Sequence, residues 1–164
     1  MFVQQSPVEL TMQKVYILFL LFFSGVCLAS PDSTLYVSIK NNNLCLYTRG
    51  SSVKAYGGRV YVYAREVSGN SGINGSYEKL YNNIETPNKE QNCIIVNASN
   101  FKNNIPYYLN MEADKIYSQR VCVTQKSKKT VLMKVEDPYG CSQEEYDYSG
   151  RSLWEKFLNW LGFN

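Results

Sequence analysis

Between residues 34 and 136 apolar and polar side chains alternate with a period of two, the pattern of half-buried strands. Leu35, Val37 and Ile39 fall on one face against Tyr36, Ser38 and Lys40 on the other. Asn41-Asn42-Asn43 reads as a turn, because asparagine tolerates left-handed backbone angles, and Leu44 and Leu46 open a second strand. Residues 34–48 therefore predict a hairpin. After the Tyr56-Gly57-Gly58 interruption, Val60, Val62 and Ala64 point inward and Tyr61, Tyr63 and Arg65 outward. Ser68–Ser76 is a loop by composition. Asn92–Asn97 is apolar on both faces, as a central strand would be. Tyr107, Leu109 and Met111 share a face of the next strand. Tyr117, Val121 and Val123 oppose Arg120 and Cys122 on the one after, and Thr130–Glu136 is the last clear strand. Lys126-Ser127-Lys128-Lys129 between those two is a solvated hairpin loop. These runs predict an all-β chain, an antiparallel immunoglobulin-like β-sandwich of about seven strands.

The period changes beyond Asp137-Pro138. Residues 141–151 are polar and read as a linker, after which Leu153, Trp154, Phe157, Leu158 and Leu161 recur at helical spacing. Ser152 with Glu155 three residues on forms a capping box, and Gly162 supplies a stop. A C-terminal amphipathic helix follows. Its apolar load is expected to pack back onto an open face of the sandwich, with partner docking or membrane-surface contact as the alternatives.

The N-terminal end carries a different signal. Lys14 precedes an apolar run of nine residues, Val15–Phe23, and then a small-residue exit through Ser24-Gly25 to Ala29-Ser30, the pattern of a secretory signal peptide. The run is about half the roughly 20 residues that a membrane-spanning helix needs. Met12 is an alternative true start. Cleavage after Ala29 yields a free extracytoplasmic product, the favoured exit. The other exit makes Cys27 the acylated first residue of a lipoprotein, although Val26 stands where such an exit prefers Gly, Ala or Ser. The expected organisation is a signal peptide over residues 1–29, a β-sandwich over 30–140, and a polar linker with the aromatic helix over 141–164.

Export changes how the cysteines read. Cys45, Cys93, Cys122 and Cys141 remain for the folded domain on either route. An even number in an oxidising compartment predicts two disulfides with three connectivities open, of which Cys45–Cys93 with Cys122–Cys141 is preferred. No C-x-x-C spacing suggests zinc, so neither metal nor cofactor is expected. The chain has no histidine and a net charge of +3 with no basic stripe. The first fact removes the histidine-dependent catalytic arrangements, and the second removes nucleic acid as a partner. The adjacent carboxylates Glu136-Asp137 and Glu144-Glu145 read as solvated, and no enzyme is expected. Tyrosine is over-used, at 14 residues. Tyr61, Tyr63, Tyr107, Tyr108 and Trp160 are the candidate partner-binding residues, since such side chains give wide contact area at low entropic cost. Tyrosine is equally a good strand residue.

The signal peptide, the first strand Leu35-Tyr36-Val37-Ser38-Ile39-Lys40, the segment Asn42-Asn43-Leu44-Cys45-Leu46, and the later Asn92-Cys93-Ile94 and Tyr107-Tyr108-Leu109 together carry a resemblance. Over roughly residues 12–136 the chain resembles the small Gram-negative extracytoplasmic lipoproteins assigned to type VI secretion immunity. The resemblance implies a non-catalytic periplasmic sandwich that neutralises a toxin from a neighbouring cell. The partner is then a protein, with membrane attachment only through an acylated Cys27. A second expectation is a structural or assembly component of the bacterial envelope or cell surface, with the aromatic tail as a donor segment.

Overall fold

The computed structural model describes residues 33–50, 53–67, 75–136 and 139–162. The signal segment, Cys27 and the start of the Ser68–Ser76 loop lie outside the described residues. The described chain is mostly antiparallel β structure in two sheets with one short helix at its C-terminal end. The strands are β1 (Ser33–Thr34), β2 (Tyr36–Lys40), β3 (Asn43–Tyr47), β4 (Val60–Glu66), β5 (Gly75–Tyr81), β6 (Ile94–Val96), β7 (Pro106–Glu112), β8 (Ile116–Lys126), β9 (Lys129–Glu136) and β10 (Gly140–Glu145), and α1 spans Leu153–Trp160.

One sheet runs β10-β9-β8-β7-β4-β5, with β1 lying parallel to β8, and the other runs β2-β3-β6. Alternation buries one face of each against a shared core. Leu35, Val37, Leu44, Leu46, Ile94 and Val96 come from the small-sheet side, and Val60, Val62, Tyr107, Leu109, Met111, Tyr117, Val121 and Val123 from the large sheet. This arrangement bears out an all-β, sandwich-like chain.

Three segments differ from the sequence pattern. Gly75 and Ser76, expected in a loop, begin β5, an edge strand paired only to β4. The stretch expected to be a polar linker begins with β10, which pairs with β9. The described residues therefore hold ten strands where about seven were expected. β6, expected to be central, is an edge strand of three residues whose Ile95 is exposed while Ile94 and Val96 are buried. β5 and β10 lie at the two ends of the large sheet, at the rim of the core, where few of their side chains are buried.

Two turns carry the left-handed residues that tight hairpins require. Asn41 (φ 50°) and Asn42 (φ 64°) join β2 to β3, and Ser127 (φ 49°) and Lys128 (φ 67°) join β8 to β9. The two hairpin tips interlock. The Thr130 hydroxyl donates to the Asn42 carbonyl (2.8 Å), the Asn42 amide donates to the Lys128 carbonyl (3.2 Å), and the Thr130 N–H donates to the Asn42 side-chain oxygen. A triplet that reads as a simple turn is thus also a clasp between the sheets.

Disulfides join Cys45 to Cys93 and Cys122 to Cys141, the preferred pairing. The first ties β3 to the residue before β6. The second links β8 to β10 across β9, so both run within a sheet and on the side facing away from the core. Two disulfides suit an oxidising, extracytoplasmic compartment. Among the described residues no helix is long and apolar enough to cross a membrane.

Candidate binding surfaces

The outward residues of four neighbouring strands build the first surface. In register, Tyr61 sits between Glu112 of β7 and Leu80 of β5, Tyr63 between Asn110 and Glu78, and Arg65 beside Tyr108. The next strand adds Arg120 opposite Tyr108 and Ser118 opposite Asn110. The Tyr61 and Tyr63 rings lie 5.4 Å apart. Guanidinium groups cover two of the tyrosines, Arg65 at 5.3 Å from the Tyr63 ring and Arg120 at 5.4 Å from the Tyr108 ring. The Tyr61 hydroxyl donates to Glu78 at 2.9 Å, and that bond is the main reason its pKa is raised. The rings are therefore held in place before any partner arrives, which lowers the entropic cost of binding.

Of the five candidate contacts, Tyr61, Tyr63 and Tyr108 come together here. Tyr107 does not. Adjacent residues of a strand point to opposite faces, and Tyr107 is fully buried (0 % exposed) beside Leu109 and Met111. Its ring meets Phe101 edge-on at 5.1 Å, and its hydroxyl accepts the Lys102 N–H at 2.9 Å. Burial pushes its pKa up, and it works as a core residue. Trp160 belongs to α1 and to a different layer. Sequence reasoning missed the arginines of this face, although Arg65 and Arg120 both occupy outward positions in the alternation.

The second surface lies over the small sheet. Tyr36 and Tyr47 pair across β2 and β3 on the side away from the core, with rings 5.9 Å apart. Residues 146–151 lie over them as a strap. The Tyr47 hydroxyl donates to the Ser149 carbonyl (2.9 Å), Val37 N–H donates to the Tyr148 carbonyl (3.1 Å), and the Tyr148 hydroxyl reaches across to the Met133 carbonyl (3.1 Å). Gly150 has φ +64°, and a Cβ there would fall 2.1 Å from the Tyr36 ring, so a side chain at this position is excluded twice over.

The strap feeds α1, whose capping box forms as the sequence predicts. Ser152 N–H donates to Glu155 at 2.6 Å, and Glu155 N–H donates to the Ser152 hydroxyl at 3.1 Å. The helix is oriented by its polar side. Glu155 pairs with Arg49 at 3.6 Å and Lys156 with Asp147 at 2.9 Å, while Arg151 just ahead pairs with Glu90 at 2.6 Å. The Ser152 N–H is the chief cause holding the Glu155 carboxyl below its usual range. Burial raises the Asp147 pKa, but its bonds from Ser149 and Lys156 outweigh that and leave it lowered. Glu155 and Leu158 line a groove of about 860 Å³ with Lys40, Arg49, Lys89 and Arg151.

The apolar side of α1 is left outside. Leu153 is 85 % exposed, Trp154 65 %, Phe157 45 % and Trp160 79 %. The expected packing of the helix onto the sandwich is corrected here. The strap makes the contacts, and the helix stands on its ionic face because Arg49, Asp147 and their partners claim that side. Trp154, Phe157 and Trp160 form a continuous aromatic row, with centroid spacings of 5.6 and 6.1 Å.

Fold and surfaces together define a disulfide-bonded, all-β domain with a tyrosine–arginine sheet face and an outward aromatic helix. Compared with protein-family models, with curated proteins and with solved structures, the chain returns no match.

Proposed function

We propose that the protein is an exported, non-catalytic binding protein of the Gram-negative periplasm that recognises another protein. In line with the lipoproteins it resembles, it acts as an immunity protein that occludes a toxin delivered by a neighbouring cell. The observation that carries this reading is the preorganised face of Tyr61, Tyr63, Tyr108, Arg65 and Arg120 on the large sheet. Tyrosine and arginine are the residues that dominate binding energy at protein interfaces, and occlusion needs shape and anchors without catalytic groups. The absence of histidine supports a non-catalytic role. The finer immunoglobulin-like assignment is supported by two antiparallel sheets around one core. Both disulfides within a sheet are a departure from the inter-sheet disulfide of antibody domains. An acylated Cys27 would tether the domain to a membrane through residues 28–32.

The test is a titration of the purified protein with a toxin encoded beside it. Tyr63→Ala and Tyr108→Ala are each expected to weaken binding at least about tenfold. No binding, or binding indifferent to both substitutions, would contradict the reading.

A further inference from the structure

A soluble helix normally turns its apolar side inward, and α1 does the reverse. Three ion pairs on the strap and the polar side fix its orientation, while five large apolar side chains (Leu153, Trp154, Phe157, Trp160 and Leu161) face outward. An exposed apolar face of this kind marks a surface for protein or membrane contact. A second copy of this chain is a poor fit. An eight-residue helix is roughly 12 Å long, and its single face falls short of the roughly 1,000 Å² or more that a stable interface buries.

The chain outside the described residues points to a different occupant. On the lipoprotein exit, on which this inference rests, the mature chain starts at Cys27, upstream of Ser33 where the described domain begins. The two ends of the domain meet. Thr34, Asp147 and Gly150 line one cleft of about 390 Å³, and Asp147 is the residue that pairs with Lys156 of α1. The end of the domain that follows Cys27 is thus the end that carries the aromatic helix. Cys27, the acylation candidate, is six Cα steps from Ser33, a reach of roughly 20 Å.

We propose that α1 is an interfacial membrane helix that lays Leu153, Trp154, Phe157 and Trp160 into the headgroup region of a phospholipid bilayer. Tryptophan, phenylalanine and leucine on one face with a polar opposite side is the composition that binds at that depth. The charges on α1 itself are paired, Glu155 with Arg49 and Lys156 with Asp147, so the contact is apolar and does not require anionic lipid. A helix this short gives marginal attachment on its own, and an acylated Cys27 would supply a second contact. This role is independent of the tyrosine–arginine face.

The test is local, because the chain has only two tryptophans and both lie on this face. The full chain is mixed with vesicles of zwitterionic phosphatidylcholine, with and without acyl chains brominated near the interface. The expected result is a blue shift of tryptophan emission and quenching by the bromines, unchanged by added salt. The double variant Leu153→Ser/Phe157→Ser keeps both reporters and is expected to lower the helix's partitioning at least about tenfold. Vesicle capture with tryptophan emission unchanged would overturn the proposal, since a part of the chain other than α1 would then account for binding. So would quenching seen only with anionic lipid at low salt, or a blue shift that needs no lipid and grows with protein concentration, the sign of self-association. Protection of both tryptophans by a protein partner, with no response to vesicles, would overturn it in favour of protein docking.

Discussion

Strand β7 and helix α1 carry comparable apolar loads and dispose of them in opposite directions. Tyr107, Leu109 and Met111 of β7 are buried, while Asn110 and Glu112 share the outer face. In α1 the charged residues Glu155 and Lys156 meet the body, and Trp154, Phe157 and Trp160 meet water. The difference lies in what already occupies the neighbouring surface. β7 pairs on both sides and must place its alternate residues against the core. α1 arrives over a small sheet whose outer tyrosines are already covered by the strap, so ionic partners are what remain there for the helix. Hydrophobicity alone does not say which side of an element is buried.

The comparison can be broken most forcefully in the body. Replacing Cys45 and Cys93 with Ser opens a 48-residue separation and is expected to cost about 4 kcal/mol, against about 3 kcal/mol for the 19-residue Cys122–Cys141 bridge. Denaturant unfolding of the two double variants measures both. Leu109→Ala, in the fully packed core, is expected to lose about 2–5 kcal/mol in the same assay. Gly150→Ala combines a left-handed backbone with a clash against Tyr36 and is expected to cost about 1–3 kcal/mol. It should also loosen the strap, which hydrogen exchange of residues 146–151 would register.

Acid sharpens the contrast. Asp147 and Glu155 are both held below their ordinary carboxyl values. The stability they lend α1 is therefore present above about pH 4 and lost as pH falls through their folded values. Amide exchange across residues 153–160, corrected for intrinsic rates, is expected to accelerate at pH 3 while the core strands stay protected. Smallest of all, Phe157→Ala should change unfolding stability by less than about 1 kcal/mol, because the side chain is half exposed and its ring contacts, Trp154 and Trp160, lie within α1.

Much of the sandwich was legible in the alternation itself. β4, β7 and β8 are inner strands, and their inward residues read correctly because both neighbours force one face into the core. β5 and β10 were hidden because they lie at the rim of the core and bury few of their side chains, so no clear alternation marks them. Tyr77 and Tyr81 are the inward aromatics of one, and the other reads Gly-Cys-Ser-Gln-Glu-Glu. The preferred cysteine pairing held, while Tyr107 and Tyr108 could not both be surface residues on consecutive strand positions. The orientation of α1 was not legible at all. It depends on Arg49, Glu90 and Asp147, which only the fold brings to the helix and its strap.

The outward aromatic face is the central claim, and iodide quenching of tryptophan emission in dilute, lipid-free solution tests it most directly. Since Trp154 and Trp160 are the chain's only tryptophans, the account predicts red-shifted emission and full access of iodide to both. Blue-shifted emission that iodide cannot reach at any dilution would show the helix packed onto the body and would contradict it.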